Sequence, residues 1–420
     1  MSALDVSDVI IPNKEIWISP FGSSRVHNMY PQVQGIDIYE SLDNFSLTAD
    51  FFLEDGIELI NNLPIAGEEE VELTIQTPSR PSCTYKLFVE SIQGMKTNDS
   101  SNIKKYKLRC VTKDFLKNSW NVYSKRYKDM NYDAAVNAIL KDELVVSKDV
   151  VVDPTKGKFD YVVNNIRPFQ AVDLIKERAV SPTYKSSLWL FWEDWEKYYF
   201  KTFEAIIEER KGKAEDFVFT YDETNRQPEY GSPINVRNIL AYETITQGAS
   251  VDKVMTGTMR NQYREFDILR GTYYTMNEYN NTGQHTNYKF TDANEDMNSS
   301  KYNSFVTSKP GVTKMAVKDG LRPEMEHNAN IHWKRGFENR MYQYGMRIRV
   351  YGDTALRVGD MVKAKVPDIS GVTVEPKQQE LYSENYVVRT LRHRLDKRDN
   401  AEFEHFMILD IRKPNMKKAI

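Results

Sequence analysis

The feature that most constrains this chain is a strand-and-hairpin pattern that occurs twice, roughly three hundred residues apart. Near the start, Gly67-Glu leads into Val71-Glu-Leu-Thr-Ile75 and Pro78. A hairpin follows, built from Tyr85-Lys-Leu-Phe-Val-Glu-Ser-Ile92, the turn Thr97-Asn-Asp-Ser-Ser-Asn102 and Ile103-Lys-Lys-Tyr-Lys-Leu-Arg-Cys-Val111. Near the end, Gly359-Asp leads into Val362-Lys-Ala-Lys-Val366 and Pro367. Tyr386-Val-Val-Arg-Thr-Leu391 then passes through Lys397-Arg-Asp-Asn400 into Phe403-Glu-His-Phe-Met-Ile-Leu-Asp-Ile411. The strand runs are short and bounded by turn residues. The spacing exceeds any solenoid repeat, so the pattern predicts a duplicated domain. Chance likeness between hairpins is the competing reading.

Further strands fit the same picture. Gln34-Gly-Ile-Asp-Ile-Tyr-Glu40 and Phe45-Ser-Leu-Thr-Ala-Asp-Phe51 alternate before the first hairpin, and Met346-Arg-Ile-Arg-Val-Tyr351 precedes the second. Between them the character changes. Asn131 is placed to cap a helix whose Val136, Ile139, Leu140 and Leu144 share one face. Pro168 opens a second helix with Phe169, Val172, Ile175 and Ala179 inward. An aromatic hairpin follows, with Glu193, Asp194 and Glu196 around its tip. The pattern weakens over 214–271, and 277–311 is crowded with Asn, Ser, Thr and Lys, as expected of a long loop. The expected fold class is α+β, mainly antiparallel β. The expected units are 1–112 (β), 113–213 (mixed), 214–271 with 334–420 (β), and 272–333 (an insertion).

Bulk properties exclude more than they assign. With 420 residues there is material for two to four domains. A net charge of -3 gives no whole-chain attraction to nucleic acid or anionic lipid. Mean hydropathy is -0.60, and no apolar run approaches the roughly 20 residues that span a bilayer. Asp5 and Asp8 stand where a signal peptide carries base, so synthesis in the cytosol is expected. Cys83 and Cys110 are expected to be buried thiols.

Candidate chemistry fails on spacing. Glu193, Asp194 and Glu196 sit at a predicted hairpin tip, where solvated turn charges are expected rather than an acid pair. His327 and His332 are five apart, off a single helical face, and His393 with His405 reads as a surface cross-strand pair. Trp189 and Trp192 lie on opposite faces of one strand, one for the core and the other for an interface. No phosphate loop or nucleophile elbow is present. No enzyme activity, cofactor or metal is expected.

Several of these runs, in this order, resemble the central baseplate hub protein of contractile-tailed bacteriophages, a family related to the N-terminal hub region of type VI secretion spike proteins. Cys110-Val-Thr-Lys-Asp-Phe-Leu ends the first β-region, and Asn165-Ile-Arg-Pro-Phe-Gln-Ala171 continues through Leu174-Ile-Lys-Glu-Arg-Ala179. Leu188-Trp-Leu-Phe-Trp-Glu193 pairs with Tyr199-Phe-Lys-Thr-Phe203, and Arg335-Gly-Phe-Glu-Asn-Arg-Met341 precedes a late strand. Leu356-Arg-Val-Gly-Asp360 opens the next one. The polar stretch 277–311 departs from the family pattern. The resemblance implies two tail-tube-like β-barrels around a mixed domain, closed as a homotrimeric ring that adapts a six-fold tube to a three-fold spike and passes DNA through its lumen. Implied partners are the central spike trimer, tail tube or tube-initiator proteins, baseplate wedges and a tape measure protein, with no membrane. The implied location is the virion, after assembly in the host cytoplasm. Neighbouring alternatives are a type VI secretion or siphophage tail-tip hub; from another class, a cell-wall carbohydrate-binding or degrading protein. Within such a ring, the acidic run containing Glu68, Glu69 and Glu70 is expected to meet the basic run containing Arg392, Arg394 and Arg398 of a neighbour. The plain alternative is two solvated faces.

Overall fold

The computed structural model describes residues 8–246 apart from 21, 23–24, 64, 79, 98–102, 185–187, 211–212 and 222–236; the strands at 260–267, 272–280 and 306–311; Lys334; and 345–413 apart from 367–384 and 399–401. Alternating apolar runs become strands that bury one face. The first region holds β1 (Asp8–Val9), β2 (Ile16–Ser19), β3 (His27–Asn28), β4 (Val33–Ser41), β5 (Thr48–Asp55), β6 (Glu70–Gln76), β7 (Ser82–Thr97) and β8 (Lys104–Thr112), with one turn of helix, α1 (Leu59–Asn62). The runs read at 34–40 and 71–75 fall inside β4 and β6, and the predicted hairpin is β7–β8.

The middle region alternates helix and strand: α2 (Lys113–Trp120), β9 (Tyr123–Asn131), α3 (Tyr132–Ala138), β10 (Asp149–Val152), β11 (Lys158–Ile166), α4 (Pro168–Arg178), β12 (Trp189–Glu193), β13 (Lys197–Thr202) and α5 (Phe203–Arg210). Asn131 does hold the N-cap of α3, but its side chain makes no capping bond. Instead Asp133 N–H donates to Thr155 Oγ1 at 3.0 Å. Val136, Ile139, Leu140 and Leu144 are buried, as are Phe169, Val172, Ile175 and Ala179. The last region holds β14 (Val218–Thr220), β15 (Ile239–Thr246), β16 (Arg260–Asp267), β17 (Thr272–Asn280), β18 (Val306–Gly311), β19 (Gly345–Tyr351), β20 (Met361–Lys365), β21 (Asn385–Lys397) and β22 (Phe403–Arg412). The stretch 277–311, expected as one loop, has strand at both ends, since β17 and β18 both pair with β16. Residues 281–305 lie outside the described residues, as do His327 and His332.

Three apolar cores organise the chain. The first fills the β2–β8 region, the second fills the β15–β22 region and takes in α5, and the third belongs to the mixed domain. Both β-units lie in one fourteen-stranded sheet whose main path runs β15-β19-β22-β21-β4-β5-β8-β7-β6-β2-β3.

Read from each unit's own strands, that path repeats. β4-β5-β8-β7-β6 in the first unit matches β15-β19-β22-β21-β20 in the second, every neighbour antiparallel. The irregularities repeat too. A bulge follows Val33 in β4 and Ile239 in β15, and another follows Val89 in β7 and Val388 in β21. Bulges re-aim a strand and are specific features rather than noise. The loop before β6 makes the bonds Glu68 N to Val89 O and Val89 N to Glu69 O; the loop before β20 makes Gly359 N to Val388 O and Val388 N to Asp360 O. Glu68 and Gly359 both have left-handed φ, 78° and 85°. In each loop the following carboxylate accepts a backbone N–H three residues back, Ala66 to Glu69 at 2.8 Å and Arg357 to Asp360 at 2.9 Å. The duplication is therefore one of backbone geometry.

Candidate assembly interface

The two units meet where β21 outruns its own unit. Its start pairs with β20, and from Thr390 to Asp396 the same edge pairs antiparallel with β4. This seam is closed by charge. Asp37 on β4 is buried, and it accepts Arg392 Nε at 3.1 Å and Nη2 at 2.6 Å, a two-pronged geometry that a carboxylate matches well. Arg394 adds a contact to Asp37 at 3.5 Å. The Asp37 bond raises the pKa of Arg392, and the Asp396 bond, then Asp37, raises that of Arg394. The hairpin tip crosses the seam as well: Leu395 and Phe403 are buried in the first unit's core.

Beside the seam all three regions share a buried polar junction. Glu193 Oε2 accepts from Ser46 Oγ, Leu47 N and Thr112 Oγ1, each at 3.0 Å, and Lys148 Nζ lies 2.8 Å from Oε1. Asp194 accepts from Tyr199 OH and from Arg357 Nη1, at 3.1 and 3.2 Å. These two carboxylates are thus buried structural acceptors, not the solvated turn charges expected from the sequence. The hairpin tip is covered by the neighbouring units, which a local reading does not register. Glu40, also buried here, has its pKa pushed up to about 8 by burial and then by Asp194.

Two other expectations change. His393 and His405 are both buried, with Nδ1 of one 2.9 Å from Nε2 of the other, and so are not a surface pair. Burial lowers the pKa of His393 to about 4. Trp189 and Trp192 do face opposite ways, but both are buried, the first in the mixed core and the second in that of the second β-unit. Cys83 and Cys110 are buried free thiols. Among the described residues, no group of three or more His, Cys, Asp or Glu side chains is placed to hold a metal ion. No helix there is long and apolar enough to cross a membrane.

The six charged residues singled out in the sequence have distinct settings. Arg392 and Arg394 work inside the chain, at the seam, and Arg398 Nε donates to Glu404 at 2.6 Å within the last hairpin. Glu69 is buried as the loop acceptor, Glu68 is exposed, and Glu70 is half-buried at the start of β6. Asp37 and Glu40 were missed. The signal for Asp37 was an acid on an alternating strand, opposite in sign to the arginines alternating on β21.

Solved structures share the fold over nearly the whole chain. A tail protein from Neisseria meningitidis MC58 superposes with a TM-score of 0.56 at 12% identity, covering 95% of this chain and 96% of that one. The 43 kDa tail protein of prophage MuSo2 from Shewanella oneidensis gives a TM-score of 0.56 at 11% identity, covering 95% and 98%. The chain has the fold of these phage tail proteins. No protein-family model and no curated protein matches the chain.

Proposed function

We propose that the chain is a structural subunit of a phage tail baseplate hub, with no chemistry of its own. The observation that carries this reading is the repeated β-unit joined by a sealed seam. A tube built of six-fold rings and a three-fold spike present a symmetry mismatch. Three copies of a chain with two like units offer six similar faces to the tube and three to the spike, and cyclic closure fixes the copy number. Both tail proteins of matching fold are covered almost end to end, so the likeness includes both units and the mixed domain.

In this reading the hub binds tube-initiator or tube proteins above, the central spike trimer below, wedge proteins outside and a tape measure protein within. DNA crosses its lumen during ejection. It is a virion component assembled in the host cytoplasm. Of the charged runs, exposed Glu68, and Arg398 at the far hairpin tip, contribute to alternation of first and second units around the ring, while Arg392, Arg394 and Glu69 are engaged within the chain. The test is the mass of the purified protein, alone and mixed with its spike. Three copies per particle are expected; a stable monomer that never joins a trimeric partner contradicts the proposal.

A further inference from the structure

β7, like β21, runs on past its own unit. It pairs with β6 as far as Phe88, and Val89 closes that ladder through the Glu68 and Glu69 backbone. β7 then continues to Thr97 beside β8, and among the described residues no strand lies along its other edge there. The matched part of β21 carries β4 on that edge. At the far end of the sheet, β15 has β19 on one side and, among the described residues, no strand on the other, whereas its counterpart β4 lies between β5 and β21. The chain thus contains one filled seam and the two separated halves of a second. Unpaired edges of this length are templates for strand addition.

We infer that the edge of β7 beyond Val89 pairs antiparallel with β15 of another copy of this chain, in the register of the β21–β4 seam. The inference rests on the ring reading above and supplies its strand contact. The internal repeat sets the register. β7 has a second bulge, between Gln93 and Lys96, that β21 lacks, with Gly94 in the left-handed region. Once it is counted, Lys96 lies opposite Lys105 of β8 as Arg394 lies opposite Phe406 of β22, at matched positions of the two hairpins. Glu243 lies opposite Arg347 as Asp37 lies opposite Asp50, again at matched positions. Transferring the seam therefore sets Lys96 against Glu243 of the second copy, with the same order of sign as Arg394 against Asp37. Glu243 is 73% exposed and Lys96 is exposed, so both side chains are accessible to a partner. Met95 beside Lys96 is 53% exposed, apolar surface that such a contact covers. The contact is head-to-tail, with the first unit of one copy on the second unit of the next, and contacts of that type close into rings when their rotation allows.

Cysteine cross-linking of the full chain tests this. Directly opposed residues of antiparallel strands lie within disulfide reach. The native thiols are buried, and burial pushes the Cys83 thiol up to about 12, so they do not compete. Lys96→Cys combined with Glu243→Cys is expected to yield covalent multimers on mild oxidation. Lys96→Cys with Ala241→Cys, two residues out of register, is expected to yield none. A multimer by mass that fails to cross-link at 96–243 overturns the strand pairing and leaves the ring reading standing. Absence of any multimer, with or without the spike, overturns both. Independently, Lys96→Glu is expected to weaken association about fivefold per contact, and adding Glu243→Lys to restore it. A double variant no better than the single one contradicts the register.

Discussion

The two β-units share a strand order, two bulges and a loop held by a carboxylate, yet they reverse charge at matched positions. In the first unit Asp50 on β5 takes Arg109 and Lys107 of β8. In the second, the residue facing β22 at that place is Arg347, opposite Asp410. The loop carboxylate is Glu69 in one and Asp360 in the other. What is held in common is backbone geometry, which bulges, left-handed residues and buried acceptors specify. Side-chain identity has drifted, because any sign-complementary pair satisfies a cross-strand site. The units also differ in their edges. β4 is covered on both edges within the chain, and among the described residues β15 is paired on one edge only.

The largest expected effect separates a buried acid at the seam from the rest of the sheet. Below the ordinary glutamate range, folded and unfolded chains both hold a proton on Glu40. Between that range and about 8 only the folded chain holds it, so unfolding releases a proton and stability falls as pH rises. Above about 8 the full cost of a buried charge is present. Glu204 in α5, also buried and pushed up to about 8 by burial, adds a like slope. Glu40→Gln removes the Glu40 share and is expected to stabilise the protein at pH 9 by on the order of 4 kcal/mol relative to pH 4 behaviour. Urea unfolding across pH measures it; an unchanged slope sinks the assignment. At the edge strands themselves the contrast is one of residue type, since, counting along the sequence from the bulge they share, β15 has Thr246 where β4 has Glu40.

Next in size is a steric contrast. Gly352, just past β19, and Asp55, the last residue of β5, hold matched positions. A Cβ at Gly352 would sit 1.9 Å from His405 Nδ1, inside a buried ring pair, so Gly352→Ala is expected to cost about 3 kcal/mol. Asp55 instead caps its chain through Ile57 N and Leu59 N, at 3.0 and 2.8 Å. Its alanine variant is expected to cost about 2 kcal/mol by leaving those donors unpaired. Thermal unfolding with intact secondary structure reads both, and a tolerated Gly352→Ala would remove the buried-histidine packing from the account.

The smallest contrast is the most discriminating. Asp37 and Glu243 are matched acids, one in the filled seam and one on the open edge. Asp37→Ala is expected to cost about 2 kcal/mol in dilute monomer, after allowing for the part-exposed arginines it serves. Glu243→Ala is expected to stay within about 0.5 kcal/mol there. Equal losses from both would mean that the two edges are not as different as described.

How much of this was legible follows from distance along the chain. The hairpins and the helix faces at 132–144 and 168–179 announce themselves by local period. The mixed domain's β9 and β11 were missed, because their exposed charged runs, such as Ser124-Lys-Arg126, show no apolar alternation. The seam was missed because Asp37 looks solvent-facing on its own strand, and the arginine that buries it lies 355 residues away. The same holds for Glu193 and Asp194, whose covering groups come from both β-units. Local pattern reveals which face of a strand is apolar; it does not reveal what covers the polar face.

Averaged electron images of the assembled particle, viewed along its axis, test the central claim most directly. If one chain supplies two equivalent β-units, the rotational spectrum should be dominated by a six-fold component at the level of the sheet and a three-fold one elsewhere, from a particle of three chains. A ring whose sheet level carries only three-fold signal, or a copy number other than three, would contradict it.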